Sequence, residues 1–388
     1  MMCEECEEEK ACMLKPSNRK KLCKKCFIEI FEDEVHDTIL KKKMFQDMDK
    51  ICIAVSGGKD SSVLAHLLVH IKKKYHYKWD LFLLAIDEGI KGYRDDSLKI
   101  VYKLQKKYNL PLKVLKFEDI FTYTMDTVVR FIGKKNNCTV CGVFRRQAME
   151  KGALLFNATK LVTGHNADDL AETILMNMCR GDLEKLAKGI NQIPNNGQGH
   201  TQGEPLCCSG ENRMIGEKAV VVGTDTDTTK GDNNTCCRNR KESKKGIIMD
   251  CDEPIDDHPF FIPRLKPLMW SYEKEIVLYA FHLKLDYFST ECTYSPNSFR
   301  GNLRSFIKDI EMINPQFILN IIHSAEFFYH NSNNKKILQV CEECGAYTSN
   351  KVCKACLIVK GLRTYKDNSF LYANKKKKEK NRIPIRYD

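Results

Sequence analysis

Residues 51–62 read ICIAVSGGKDSS. An apolar run stops at Ser56, two glycines follow, and Lys59, Asp60 and Ser61 come just before a new apolar pattern. Glycines let a backbone approach an anion closely, and the amides that open a helix point toward it. Lys59 adds a full positive charge. Ser56, Gly57, Gly58, Lys59, Asp60 and Ser61 therefore suit a phosphate-binding turn, although a tight strand–helix turn without a ligand uses the same two glycines. The spacing is not that of a Walker loop, G-x4-G-K-S/T. Cysteines offer a second chemistry. Cys3, Cys6, Cys23 and Cys26 make one C-x2-C…C-x2-C set, and Cys341, Cys344, Cys353 and Cys356 make another. Two knuckles complete a tetrahedral four-sulfur site with no open position, so two structural zinc ions are expected. Cys138-Thr-Val-Cys141 has no second knuckle nearby. It stays open between a redox dithiol, half of a metal site and a structural pair. Cys12, Cys52 and Cys179 lie in apolar or helical contexts and are expected in the core.

The elements that must position these residues follow from hydrophobic periodicity. Ile51–Val55 is a continuous apolar run of strand length, as a parallel strand buried on both faces requires. Val63, Leu64, Leu67, Leu68 and Ile71 then recur at helical spacing. Leu81–Ile86 reads as a strand, Leu98–Tyr108 as a helix and Leu112–Phe117 as a strand. Leu161–Thr163 reads as a short strand, and Leu170, Ala171, Ile174, Leu175 and Met178 as one helical face. Tyr272–Leu285 is a further helix pattern. Alternating strands and helices predict an α/β fold with a parallel, doubly wound sheet. Ligands bind such sheets at the carboxyl ends of the strands, where Ser56-Gly57-Gly58-Lys59 falls.

The string Ser-Gly-Gly-Lys-Asp-Ser resembles the pyrophosphate loop of the PP-loop ATPase superfamily, of adenine nucleotide alpha hydrolase-like fold, which cleaves ATP to AMP and pyrophosphate. Cys138-Thr-Val-Cys141-Gly-Val-Phe-Arg-Arg, Thr163-Gly-His-Asn-Ala-Asp-Asp169 and Glu291-Cys292 extend the likeness to the tRNA 2-thiolation group and its tRNA thiouridine synthetase relatives. Both terminal cysteine sets resemble that group's zinc modules, and the likeness covers about residues 1–190 and 259–360. It implies that the loop from Ser56 to Ser61 holds the ATP phosphates with Mg²⁺, and that Ala54 and Ile86 border the adenosine. Gly164 would contact nucleotide and Asp169 would be the catalytic aspartate. Arg145 stands where prokaryotic relatives carry lysine, which keeps the charge and implies electrostatic stabilisation. Cys138, Cys141 and Cys292 would hold a [4Fe–4S] cluster with one iron free of protein ligands. The rival mechanism uses the same thiols as persulfide and disulfide partners.

The implied reaction adenylates the C2 oxygen of the wobble uridine, and sulfur then displaces AMP. The implied partners are tRNA, a ubiquitin-related modifier as sulfur carrier, and a second 2-thiolation subunit or a second copy of the chain. Lys and Arg number 63 against 51 Asp and Glu, a net charge of +12, which suits a polyanionic partner. The opening MMCEECEEEK lacks an apolar h-region and no apolar run is long enough to span a membrane, so a cytoplasmic protein without membrane contact is expected. In a reducing compartment, clustered cysteines bind metal or do chemistry rather than form disulfides.

The expected organisation is a zinc module over 1–30, the catalytic domain over 45–190 and 259–335, a zinc ribbon over 336–360 and a basic tail over 361–388. Residues 191–258 interrupt it. They are rich in Asn, Gly, Thr and charge and poor in large apolar residues, as a disordered insertion would be, and their cysteines are treated as incidental. Two other functions compete. A tRNA 2-thiocytidine synthetase would not need the two terminal zinc sets. A non-catalytic zinc-bearing tRNA-binding subunit would not need an intact Ser-Gly-Gly-Lys-Asp-Ser loop.

Overall fold

The structure is a computed structural model. It describes residues 1–133, 136–182, 185–186, 262–290, 292–294, 299–330 and 339–364. The 191–258 insertion and most of the basic tail lie outside the described residues.

Five parallel strands form the central sheet in the order β5-β4-β3-β6-β7. They are β3 (Lys50–Ala54), β4 (Asp80–Asp87), β5 (Leu112–Lys116), β6 (Lys160–Val162) and β7 (Arg264–Leu265). β1 (Met13–Leu14) and β2 (Lys21–Leu22) pair antiparallel in the N-terminal module. The register sets Ile53 opposite Leu83 on one side and Val162 on the other. Strand order reverses at β3, so the carboxyl ends of β3 and β6 border a topological switch point, the place where such sheets bind ligands.

Alternation along the strands divides the core into two layers. Ile51, Ile53, Leu81, Leu83 and Ala85 point into one, and Cys52, Phe82, Leu84 and Ile86 into the other. The first layer is covered by α1 (Lys24–Lys41), α2 (Lys59–Lys74), α3 (Tyr93–Tyr108) and, later in the chain, α8 (Glu273–His282). Val63, Leu64, Leu67, Leu68 and Ile71 of α2 are all buried there, as their spacing predicts. The second layer is covered by α4 (Phe117–Phe121), α5 (Met125–Ile132) and α6 (Asn137–Leu154). Phe144 of α6 stacks on Phe121 with ring centroids 4.1 Å apart and meets Phe117 edge-on. Burial of each such side chain stabilises by about 1.5–3 kcal/mol, which fixes α6 against the sheet. Helix α7 (Ala167–Cys179) packs against α9 (Phe299–Ile313) and α10 (Gln316–His330).

The two cysteine modules join opposite layers. Cys3, Cys23 and Cys26 belong to the first, beside Leu22 and Phe27. Cys341 and Cys353, next to the antiparallel pair β8 (Gln339–Val340) and β9 (Tyr347–Thr348), belong to the second. Several expectations need correction. Cys12 and Cys179 are exposed and only Cys52 is buried, because the first lies in the N-terminal module and the second in the last turn of α7. Met178 is largely exposed as well. Helix α3 begins at Tyr93 rather than Leu98, since Gly92 takes a positive φ of 79° and starts the helix there. Residues 354–364 form a helix that runs past the expected end of the ribbon at 360.

Candidate active site

The phosphate-binding turn folds as its composition requires. Gly57 has φ +82°, and a Cβ there would lie 2.3 Å from the Ser97 carbonyl oxygen, so only glycine fits. Gly58 is the N-cap residue of α2, whose first turn carries Lys59, Asp60 and Ser61. Ser61 Oγ accepts from the Ser56 amide at 3.1 Å and donates to the Gly58 carbonyl at 3.0 Å, closing the turn on itself. The loop after β6 meets it at Gly164, where a Cβ would lie 2.9 Å from the Asp60 carbonyl carbon. Asn166 accepts from the Asp169 amide at 2.9 Å, capping α7, and donates to Asp60 Oδ1 at 3.1 Å. The switch point thus brings Ser56–Ser61, Gly164 and Asp169 together. Ala54 and Ile86 sit at the ends of the two adjoining strands.

Charge is concentrated here. Lys59 Nζ lies 2.6 Å from Glu273 Oε1 and 3.4 Å from Asp60 Oδ2. Burial works against the Lys59 cation, but Asp60 and Glu273 outweigh it and raise its pKa. Burial raises Asp60, with Lys59 opposing and the Asp169 charge adding to it. Burial also acts against ionised Glu273, yet Lys308 and Lys59 bring it down to about 2. Asp169 Oδ1 is 3.1 Å from Arg300, and Asp168 is 2.9 Å from Lys308. Two partly exposed carboxylates, Asp60 and Asp169, beside a lysine and a helix N-terminus can hold a phosphate-bound divalent cation and its phosphates.

The cysteine end is built on α6. Cys138, Cys141 and Arg145 are spaced three and four apart, so they share one face of the helix. Arg145 Nη2 lies 3.6 Å from Cys141 Sγ and 2.8 Å from Glu88 Oε1. Cys292 arrives on a segment that touches both ends of the site. The Phe288 amide donates to the Gly57 carbonyl at 2.8 Å, and Tyr294 Oη donates to Asp126 of α5 at 2.7 Å. Cys138 Sγ lies 3.9 Å from the Tyr294 carbonyl oxygen. The charges of Cys138, Cys141 and Cys292 act on one another, and burial pushes Cys141 up to about 11.

The terminal sets are tighter. Within each, all four sulfurs lie within 4.8 Å of one another, a spacing that suits a single tetrahedral ion. Burial opposes ionisation of Cys3 and Cys341, but backbone N–H groups of the knuckles bring both down to about 6. In the C-terminal set Gln147 of α6 donates from Nε2 to Cys344 Sγ at 3.1 Å and to Cys353 Sγ at 3.6 Å. Among the described residues Cys138, Cys141 and Cys292 do not form so tight a group. A wider spread is what a cluster of several irons asks of its ligands.

Sequence reasoning missed Glu88, Arg94, Gln147, Glu273 and Arg300. Each acts through a partner distant in sequence, and no local spacing marks it. The one available signal was an acid and an arginine, Glu88 and Arg94, in the turn just beyond a buried strand.

A PP-loop domain model matches residues 29–206. Cytoplasmic tRNA 2-thiolation protein 1 of Dictyostelium discoideum is 41% identical over 364 residues, covering 94% of this chain and 84% of the relative. The protein of the same name from Xenopus laevis is 42% identical over 361 residues, covering 93% and 88%. The chain belongs to the cytoplasmic tRNA 2-thiolation protein 1 family. Among solved structures, the U34-tRNA thiolase NcsA of Methanococcus maripaludis, with its [4Fe–4S] cluster, is similar at 25% identity and a TM-score of 0.68. That likeness covers 93% of this chain and 96% of NcsA. The doubly wound PP-loop fold with cysteine groups at both ends is thus the architecture of a 2-thiolation protein.

Proposed function

We propose that the chain is the catalytic subunit that 2-thiolates the wobble uridine, position 34, of cytoplasmic tRNA at the expense of ATP. It is a sulfurtransferase acting through adenylation. One observation carries this: the Phe288 amide donates to the carbonyl of Gly57 in the phosphate loop, the Tyr294 carbonyl lies 3.9 Å from the Cys138 thiol, and Cys292 falls between the two in sequence. An ATP site and a sulfur site thereby share one cleft.

The amides of Gly57 and Gly58 and the Lys59 ammonium hold the ATP phosphates, with Ala54, Ile86 and Gly164 bordering the nucleotide. Asp60 and Asp169 would hold a Mg²⁺ ion, which would supply positive charge at the phosphates. The uridine C2 oxygen attacks the α-phosphorus, forming a C–O–P bond while pyrophosphate leaves. Lys59 stabilises the charge on the departing group. Sulfur then attacks C2, the C–O bond breaks, and AMP carries the oxygen away. Arg145 stabilises the negative charge that develops beside Cys141; a guanidinium is always protonated and so is not the proton donor.

Cys138, Cys141 and Cys292 fit as ligands of a [4Fe–4S] cluster by donor type, spread and the open face next to Arg145. When bound, the cluster supplies an iron without a protein ligand where sulfur can be held. The two tetracysteine sets hold structural zinc. Sulfur comes from a ubiquitin-like thiocarboxylated carrier, and a second 2-thiolation subunit completes the enzyme. The test is mass analysis of tRNA nucleosides from cells lacking the protein, complemented with wild type or Lys59→Ala. Loss of 2-thiouridine restored only by wild type is expected, and unchanged 2-thiouridine in the deletion would sink the assignment.

A further inference from the structure

Glu88 stands one residue beyond β4, at the carboxyl edge of the sheet, and is 3% exposed. Its backbone is held on both sides. The Glu88 carbonyl accepts from the Met125 amide at 2.8 Å, and a Cβ on the following Gly89, at φ +66°, would lie 2.7 Å from Thr124. The carboxylate therefore has little freedom, and it faces two guanidinium groups. Oε1 lies 2.8 Å from Arg145 Nη2, while Oε2 lies 3.5 Å from Nε of Arg94, which is 4% exposed. Arg94 in turn donates from Nη1 to the Ser56 carbonyl and to Ser97 Oγ, each at 3.0 Å. Arg145 Nη2 reaches Cys141 Sγ at 3.6 Å. Polar contacts so run from the phosphate loop to the cysteine face of α6, with Glu88 the only carboxylate among them; the Glu88–Arg94 link is an ion-pair contact rather than a hydrogen bond, since neither Glu88 Oε2 nor Arg94 Nε has a hydrogen-bond partner.

From this chain of contacts we infer that Glu88 is a positioning residue that holds the phosphate loop and the cysteine-side arginine in one fixed relation. The inference rests on the 2-thiolase assignment and deepens it. A buried carboxylate between two cations is costly to desolvate, and a structural ion pair needs only one partner. Here each cation also touches a reacting element: a loop carbonyl through Nη1 for Arg94, and a thiol for Arg145 through the same Nη2 that meets Glu88. Without the carboxylate the two guanidinium groups repel each other. Arg94 then loosens its hold on Ser56, and Arg145, half open to solvent, swings off Cys141.

Two double-mutant cycles on the full chain test this. In zinc-loaded protein without the iron–sulfur cluster, ATP affinity in the presence of Mg²⁺ is measured by calorimetry for Glu88→Gln, Arg94→Ala and the pair. In reconstituted protein, thiolation kcat is measured for Glu88→Gln, Arg145→Ala and the pair. Glu88→Gln is expected to weaken ATP binding about fivefold, adding less than about twofold on top of Arg94→Ala. It is also expected to lower kcat about tenfold, adding less than about twofold on top of Arg145→Ala. Arg145→Ala alone should leave ATP affinity within about twofold, a split that general destabilisation would not produce. Unchanged ATP affinity and kcat in Glu88→Gln, or losses that multiply in both cycles, would overturn the inference. If Glu88→Gln does not fold, Glu88→Asp takes its place, because it keeps the charge and loses only reach; full kcat and full ATP affinity there would equally overturn it. Absence of 2-thiolation by the wild-type chain would instead remove the assignment on which the inference rests.

Discussion

At the phosphate loop the chemical groups come from Ser56 to Ser61, six consecutive residues, and are completed by one short turn at Gly164. At the cysteine end, Cys138 and Cys292 are about 150 residues apart, and Arg145 of α6 takes its place from Glu88, just beyond β4. The loop is closed by its own local hydrogen bonds through Ser61 Oγ, which accepts from the Ser56 amide and donates to the Gly58 carbonyl. The cysteine end is fixed by tertiary contacts: Phe144 on Phe121, Tyr294 on Asp126, and Gln147 on the C-terminal sulfurs. A local motif tolerates change elsewhere in the fold, whereas an assembled one depends on every element that brings it together. Perturbation should therefore spread at the cysteine end and stay confined at the loop.

The largest effect should come from the loop itself. Lys59→Ala removes the cation that stabilises pyrophosphate departure and leaves Glu273 without one of its two lysines. AMP formation on tRNA should fall at least about a hundredfold, and thiolation with it, while the protein stays folded. Asp60→Ala should behave alike through loss of metal support. AMP formation unchanged in both variants would rule out this loop as the ATP site.

Serine at Cys138, Cys141 or Cys292 should abolish thiolation to a similar degree while adenylation survives. Double substitutions should add little, since a cluster missing one ligand is largely lost already. Iron and sulfide counts after anaerobic reconstitution check this. Full cluster and full activity in Cys292→Ser would leave Cys138 and Cys141 as a dithiol and dissolve the contrast between the two ends.

Gln147 should produce a smaller effect. It sits on the face of α6 roughly opposite Cys138 and Cys141 and donates to two sulfurs of the C-terminal set. Hydrogen bonds to ligands of this kind stabilise a bound metal, so Gln147→Ala should speed zinc release to a chelator about tenfold. The N-terminal zinc should leave at its wild-type rate. Zinc loss from both modules together would mean a general loosening, and none from either would mean that the amide is idle.

How much of this was legible follows the same division. The sheet was readable because Ile51–Val55 and Leu81–Ile86 are unbroken apolar runs, which only burial on both faces requires. The loop was readable because its steric demands fall on adjacent residues. Both tetracysteine sets were readable because each knuckle is local, and their sulfurs do converge. Glu88 and Arg94 were not, since a buried acid shared between two arginines leaves no periodicity. Cys12 and Cys179 were misjudged because apolar neighbours in sequence do not ensure burial once a module edge or a helix end turns the side chain outward.

The smallest effect should come from residues 200–250, which lie outside the described residues. Their composition is poor in large apolar side chains. They fall between α7, which carries Asp169, and β7, which closes the sheet beside β6. Deleting them shortens a connection whose closure entropy changes only slowly with length, by about 0.6 kcal/mol for each halving. The deletion should keep thiolation within about twofold of wild type, with ATP affinity and both zinc ions retained. A folded deletion that still adenylates tRNA but fails to thiolate it would assign the segment to the cysteine end, the one more exposed to distant changes. Loss of adenylation as well would place it at the loop and break the contrast drawn between them.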